Sequence, residues 1–375
     1  MTYRNLPKAV PCYPREYLLN GGTLTGLQEK FAIDVRRHGH YPNLVHLKYN
    51  QIESPMDVPL VQQCRGLILD QDDEWRIIAW PFNKFFNHGE PLAAKIDWIT
   101  ARVQEKLDGS MMVMYWYDEG WQVATSGMPD AAGTVHGTAM SFAQLFWETW
   151  YRQKLTEPAS VHRSYTFMFE LTSPYNRVVV QHPQASLTLI GVRNIWSGSE
   201  MPVEFRQSLN PVKEFGLRSL GDIVGTFEGM DPLAQEGYVV VDINFNRVKV
   251  KHPGYVALHH LKSHFSVKRV VDVVRAGESE EVLVHFPEWK RPFEQVHAAF
   301  DGFVAQLEQD HAELESLKGN RKEFAMLAKQ SIWPAAHFLI LDNHVRSVRE
   351  ALRNVHIEKM VDLLGVRGLV LEGAI

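Results

Sequence analysis

The stretch Gln104-Glu105-Lys106-Leu107-Asp108-Gly109-Ser110 runs directly into an apolar, strand-like segment, Met111 to Tyr117. Its inert reading is a turn entering a strand, with Asp108-Gly109 supplying the tight bend. Its chemical reading is a lysine placed to attack the α-phosphate of a nucleotide and hold the nucleotide as a phosphoramidate. A lysine amine must be neutral to attack, a state that neighbouring cations and burial favour. Lys-x-Asp-Gly is short, and average composition yields it by chance in roughly one chain in ten of this length. Alone it decides nothing. It does specify companions: cations for a triphosphate, and carboxylates for a metal and a ribose, all on one β-rich domain.

Those companions follow in order. Upstream, Cys64-Arg65-Gly66-Leu67-Ile68-Leu69-Asp70 presents an arginine at a strand entrance, and Lys84-Phe85-Phe86-Asn87 a lysine framed by aromatics. Downstream, Thr166 to Leu171 carries Glu170 near a strand end and continues into Ser173-Pro174-Tyr175-Asn176-Arg177. Glu236 opens the run Gly237 to Val241. Finally Val248-Lys249-Val250-Lys251 spaces two lysines at period two, so both point to one face of a strand. Each has a bland alternative, such as a solvated edge strand, but their order and combination make coincidence a poor account.

Outward from these motifs, Asn43 to about Tyr255 reads as β-rich, with short runs at Gly66–Leu69, Met111–Tyr117, Trp121–Ala124, Arg177–Val180 and Tyr238–Val241. Helices are interleaved, the best spanning Ala139 to Gln153. After Tyr255 the character turns helical: Phe293 to Leu317 keeps apolar residues near helical spacing, and Ser347 to Leu364 reads as one amphipathic helix ending near Gly365. The expectation is an α+β fold of mainly antiparallel sheets with helices, plus a mostly α-helical C-terminal domain. The boundary is expected near 256–266, giving domains 1–260 and 261–375.

Composition is ordinary for a globular protein, with 45% hydrophobic and 22% charged residues. No window approaches a membrane span of about 18 apolar residues, and Met1 to Tyr13 lacks a signal-peptide core, so a cytoplasmic protein is expected. The two cysteines, Cys12 and Cys64, exclude a disulfide framework and a four-cysteine zinc ribbon. A net charge of −5 does not suit a DNA-coating protein, but it leaves room for a local basic cleft. There is no P-loop and no dinucleotide fingerprint. His252, His259, His260 and His264 lack the glutamate of a metalloprotease pattern and read as polar residues at a domain boundary.

These motifs resemble those of covalent nucleotidyltransferases, and among them the phage-type RNA ligase 1 family. The distinctive parts are Cys64-Arg65-Gly66, Lys84-Phe85-Phe86-Asn87, Glu170 with Ser173 to Arg177, and Val248-Lys249-Val250-Lys251 followed by Tyr255-Val256-Ala257-Leu258-His259. The resemblance covers residues 40 to 265, and it implies an adenylyltransferase domain that consumes ATP with Mg²⁺ or Mn²⁺. It implies that Lys106 takes AMP and that Arg65, Lys84 and Lys249 contact the ATP phosphates, with Lys251 in support. It further implies that Glu170 holds the ribose, that Glu236 binds the metal directly or through water, and that Tyr49 belongs to the ATP site. The partners would be RNA 5′-phosphate and 3′-hydroxyl ends, cleaved tRNA among them, with the C-terminal domain setting RNA preference.

One stretch departs from the family. Members often carry a cation around a Ser-Lys-Gly sequence after the nucleophile box, whereas this chain has Ala124-Thr125-Ser126-Gly127-Met128. The rival readings are a DNA ligase or capping-type enzyme, which usually append a β-barrel where this chain reads helical, and a non-catalytic nucleic-acid scaffold. The scaffold reading predicts a lost motif charge, yet Lys106, Glu170, Glu236, Lys249 and Lys251 are all present. Lys318, Arg321, Lys322, Arg346 and Arg349 could touch RNA backbone, but a solvated helical surface is the favoured reading.

Overall fold

The computed structural model describes residues 10–176, 178–203, 207–260 and 266–369. The chain divides into two compact units, Met1–Tyr255 and Val256–Ile375. In the first, the strands run in chain order β1 (Ile33–Arg37), β2 (Leu44–Tyr49), β3 (Arg65–Asp70), β4 (Arg76–Ala79), β5 (Phe86–Asn87), β6 (Arg102–Lys106) and β7 (Ser110–Tyr117). They continue as β8 (Gly120–Thr125), β9 (Tyr165–Thr172), β10 (Ser186–Asn194), β11 (Glu200–Met201), β12 (Glu214–Phe215), β13 (Gly237–Val241) and β14 (Arg247–Lys251). Three sheets result, ordered β1-β2-β3-β4, β11-β10-β9-β7-β8 and β12-β6-β13-β14-β5. The expected, mainly antiparallel pairing holds, while β14 and β5 pair in parallel.

Alternation along the strands builds the layers. In β7 Met112 and Met114 enter the core shared with helix Phe142–Arg152, while Val113 and Tyr115 face Leu44 and Ile68 of the first sheet. In β3 Leu67 and Leu69 pack with Leu18, Leu27 and Val61 of the covering helices, whereas Ile68 points the other way. The order is thus helices, sheet, sheet, helix, and period-two patterning is what lets the two central sheets be buried on both faces. The third sheet closes its own core through Val103, Tyr238, Val240, Val248 and Val250 against Ile223. Helix Phe142–Arg152 begins at a complete capping box: Ser141 Oγ accepts from Gln144 N–H, and Gln144 Oε1 accepts from Ser141 N–H.

Two sequence readings need correction. Val178–Val180 is not a strand, and Arg177 lies outside the described residues. The amides of Val179 and Val180 donate to the Asp108 carboxylate at 2.8 and 2.7 Å, so they are not available to a ladder. The expected single helix over Ser347–Leu364 is two, Val348–Leu352 and Ile357–Leu363. Its ends were legible: Ser347 caps the first through Glu350 N–H, and Gly365 follows the second with φ +65°. The break falls at Val355, whose carbonyl accepts from the Arg275 guanidinium instead of from a helical amide.

The second unit is helical, and it contains no strand among the described residues. Its core gathers Val270, Val274, Phe293, Val296, Phe300 and Leu307, and its longest helix is Lys290–Leu314, followed by a 3₁₀ turn over Glu315–Leu317. Four of its five suspected RNA-contacting cations are paired with acids. Lys318 pairs with Glu315, Arg321 with Asp342, Arg346 with Glu350 and Arg349 with Asp301. These exposed pairs fit the surface reading.

Candidate active site

The third sheet turns one face toward a cavity of about 570 Å³. Register sets that face: Gly237 of β13 pairs with Lys106 on one side and Lys251 on the other, and Val239 pairs with Gln104 and Lys249 in the adjacent row. All four of these partners therefore project together, and all four line the cavity. Glu236, buried one residue before the Gly237 row, joins the two lysines. Lys106 Nζ donates to its Oε2 at 2.7 Å, and Lys251 Nζ stands 3.2 Å from its Oε1.

The loop holding Lys106 is fixed from below. Asp108 is buried, and its Oδ2 accepts from the amides of Val179 and Val180 while its Oδ1 accepts from the Tyr255 hydroxyl at 2.9 Å. Gly109 passes so close to β9 that a Cβ there would sit 2.4 Å from the Leu171 carbonyl oxygen, so only glycine fits. Asn176 then staples the following segment to the loop, donating from Nδ2 to Ser110 Oγ at 3.0 Å and to the Leu171 carbonyl at 2.7 Å. Lys-x-Asp-Gly is thus both a turn and a site. The inert and chemical readings describe the same object.

The first sheet supplies the next cation. Between β2 and β3 the register skips Gly66, which adopts φ +95° as the extra residue of a bulge. The skip sets Arg65 directly opposite Lys48, and both line the cavity. The Arg65 guanidinium lies 5.1 Å from the Phe85 ring centroid and Lys249 Nζ lies 5.4 Å from it, so one ring is shared by two cations. Arg65 Nη1 is buried with no hydrogen-bond partner among the described residues. Lys249 is pushed well below the ordinary lysine range, first by burial and then by repulsion from Lys251, Lys84, Lys106 and Arg65.

Two expected ATP contacts stand back from the cavity lining. Tyr49 is buried in the core of the first sheet, and its ring carries Lys84 Nζ at 5.4 Å from the centroid. Lys84 also reaches Gln51 Oε1 at 3.3 Å and opens on a neighbouring pocket of about 180 Å³. Its charge still acts on Lys249. Arg65, Lys106, Glu170, Lys249 and Lys251 line the main cavity themselves.

Glu170 sits in β9 opposite Met111, and its carboxyl is raised from its ordinary 4.5 to about 7. Burial is the largest cause; Lys106 and Arg65 oppose it, while Glu236 and Asp108 add to it. Because the folded value lies above the unfolded one, the folded chain holds this proton more tightly. The resulting stability is full below about pH 4.5 and is lost as pH rises through about 7. Glu170→Gln, a neutral isostere, should therefore raise the melting temperature at pH 8 and lose that advantage by pH 5. An equal difference from wild type at both pH values would show that burial does not govern this carboxyl.

Sequence reasoning passed over several contributors. Phe82 and Arg247 line the cavity as well, and Arg247 shares Glu200 with Arg193 in a buried cluster at 2.7 and 2.9 Å. The only sequence signal for Arg247 is its period-two spacing with Lys249 and Lys251. Among the described residues no group of three or more acids, histidines or cysteines could enclose a metal ion. His252 acts structurally: its Nδ1 accepts from Gly254 N–H, and its Nε2 lies 3.0 Å from the Phe227 carbonyl. His264 lies outside the described residues. Both cysteines are buried free thiols.

A lysine paired with a buried glutamate, beside a cavity walled by further lysines and arginines, is an arrangement suited to handling phosphate. A sequence model of the RNA ligase family matches residues 63–255, just over half of the chain, and the chain belongs to that family. The RNA ligase of Rhodothermus phage RM378 is 26% identical over 395 aligned positions, spanning 84% of this chain and 89% of that protein. A putative bifunctional polynucleotide kinase/RNA ligase of Autographa californica nuclear polyhedrosis virus is 27% identical over 293 positions, covering 73% of this chain and 42% of that one. Among solved structures, an archaeal ATP-dependent RNA ligase is similar at 16% identity with a TM-score of 0.46, covering 86% of this chain and 80% of that one.

Proposed function

We propose that this chain is an ATP-dependent RNA ligase that joins a 5′-phosphate end to a 3′-hydroxyl end through a lysyl-AMP on Lys106. The observation that carries this reading is Lys106 itself, hydrogen-bonded to buried Glu236 within a cavity whose cations outnumber its carboxylates. Family membership supports it from an independent direction.

In the first step the Lys106 amine, its proton gone, attacks the α-phosphorus. The bond to the bridging oxygen breaks and pyrophosphate leaves. Arg65, Lys249 and Lys251 face the phosphates and stabilise the charge that spreads over the transferring group, a role for which preorganised cations are suited. The cavity lining holds these like charges in apposition, and a polyanion relieves that repulsion. Arg65 offers a planar fork with a free donor, whereas the lysines act as point charges. We assign Glu170 to the ribose. An oxygen of the RNA 5′-phosphate then attacks the same phosphorus, the N–P bond breaks, and the amine regains its proton. Finally the 3′-hydroxyl attacks the RNA phosphorus, loses its proton and expels AMP.

Glu236 would hold a divalent cation directly or through water, since Mg²⁺ is commonly bound by one or two carboxylates together with substrate phosphates. When bound, Mg²⁺ or Mn²⁺ supplies charge neutralisation on the phosphates. No strand occurs in the described residues after Tyr255, which disfavours the appended β-barrel of DNA ligases and capping enzymes. We assign the helical unit to RNA preference, with cleaved tRNA as one substrate, and the protein to the cytoplasm. No helix among the described residues is long and apolar enough to cross a membrane.

The test is sealing of a single-stranded RNA carrying a radioactive 5′-phosphate. Circles or joined products whose label resists phosphatase are expected with ATP and Mg²⁺. Sealing of DNA nicks in place of RNA ends would transfer the chain to the DNA ligase reading.

A further inference from the structure

Lys48 is a cation in the cavity wall that no motif claims. The Gly66 bulge sets it directly opposite Arg65, so the two side chains share a face of the first sheet, and both line the cavity. Its ammonium lies 3.5 Å from the place a Cβ on Gly127 would occupy. There it faces the Thr125–Met128 turn, where Thr125 Oγ1 accepts from the amides of Gly127 and Met128. That turn contributes cavity lining through Thr125, Ser126, Gly127 and Met128, but no charge. No carboxylate among the described residues forms an ion pair with Lys48. This half-buried ammonium, with Asp34 opposite it in register across β1–β2 but not in an ion pair with it, lines a space already holding Arg65, Lys106 and Lys249, a gathering of cations that suits an anion.

We propose that Lys48 is a phosphate-binding residue of this cavity, delivering from β2 the cation that the Thr125–Met128 turn lacks. The proposal rests on the ligase reading, and it names one chemistry, a phosphate oxyanion. That oxyanion belongs either to the pyrophosphate portion of ATP or to the RNA 5′-end. Gly127 matters to the arrangement because any side chain there would meet the ammonium.

The experiment compares full-length wild type, Lys48→Met, Lys48→Arg and the double variant Lys48→Met/Ser126→Lys, which returns a cation from the turn side. Three quantities are measured: label transfer to protein from α-³²P-ATP in a single turnover, ATP-free sealing of RNA already adenylylated at its 5′-end, and calorimetric binding of inorganic pyrophosphate. Lys48→Met should fold with an unchanged melting temperature. It should lose about 10- to 100-fold in at least one measurement, the effect of one charge-assisted hydrogen bond. Loss in label transfer and pyrophosphate binding assigns the nucleotide; loss confined to the pre-adenylylated RNA assigns the RNA end. Arginine at 48, and lysine at 126, should recover part of the loss. Three unchanged measurements, or a loss that neither returned cation repairs, would overturn the proposal. Wild type that binds pyrophosphate but neither takes label nor seals would instead defeat the ligase reading, and the binding comparison would still judge Lys48.

Discussion

Lys106→Ala is expected to take no label from α-³²P-ATP, a fall of ~10⁴-fold or more, since the variant lacks the atom that forms the bond to phosphorus. The neighbouring amines are poor substitutes. Lys251 is engaged with Glu236 and lies on the far side of Gly237 from Lys106, across β13. The same variant should still seal RNA that is already adenylylated, because the amine forms no bond in that last step. Retained sealing also certifies that the variant is folded. A labelled band surviving in Lys106→Ala would refute the assignment, and Lys249 would be next to test, because burial favours its neutral form.

Asp108→Ala is expected to cost nearly as much activity by another route. The substitution strips three donors of their acceptor at once, the amides of Val179 and Val180 and the hydroxyl of Tyr255. Each unsatisfied buried donor costs about 1–3 kcal/mol, and the loop that aims Lys106 loses its anchor. A melting temperature lowered by several degrees and loss of labelling should appear together. Asp108→Asn separates geometry from charge. Its amide oxygen can still accept from both valine amides, while its NH₂ donates to the Tyr255 oxygen. We expect Asn to keep the fold and a measurable part of the labelling. An alanine variant as stable as wild type would remove Asp108 from this positioning role.

β7 was legible as a continuous apolar run because both of its faces are buried, Met112 and Met114 in one core and Val113 and Tyr115 in another. The period-two lysines Lys249 and Lys251 share a face, as alternation along a strand requires. The failures have physical causes that local patterning does not carry. Val178-Val179-Val180 has the composition of a strand, but a distant carboxylate claims its amides. The break at Val355 depends on Arg275, 80 residues earlier in the chain. Tyr49 and Lys48 are adjacent residues of one strand. Only the bulge at Gly66, a matter of pairing between strands, determines that the lysine is the one opposite Arg65. Glu236 could be read as a charge at a strand start; its position between two lysines follows only from the register of three strands.

That register also fixes when a growing polypeptide becomes capable of chemistry. The strand ending in Lys106 is synthesised early, but the glutamate that pairs with it lies 130 residues later, and Lys251 follows later still. Until then the strand carrying that lysine has only the short β12 available as a neighbour in its sheet. The neighbours that make it distinctive arrive together, as one hairpin, β13–β14. A ribosome-bound or prematurely ended product lacking that hairpin would have neither the acid partner nor the full set of cations, and would leave ATP untouched. On the proposed mechanism, competence is thereby tied to near-completion of this unit, and abandoned fragments are expected to carry no stray adenylating activity.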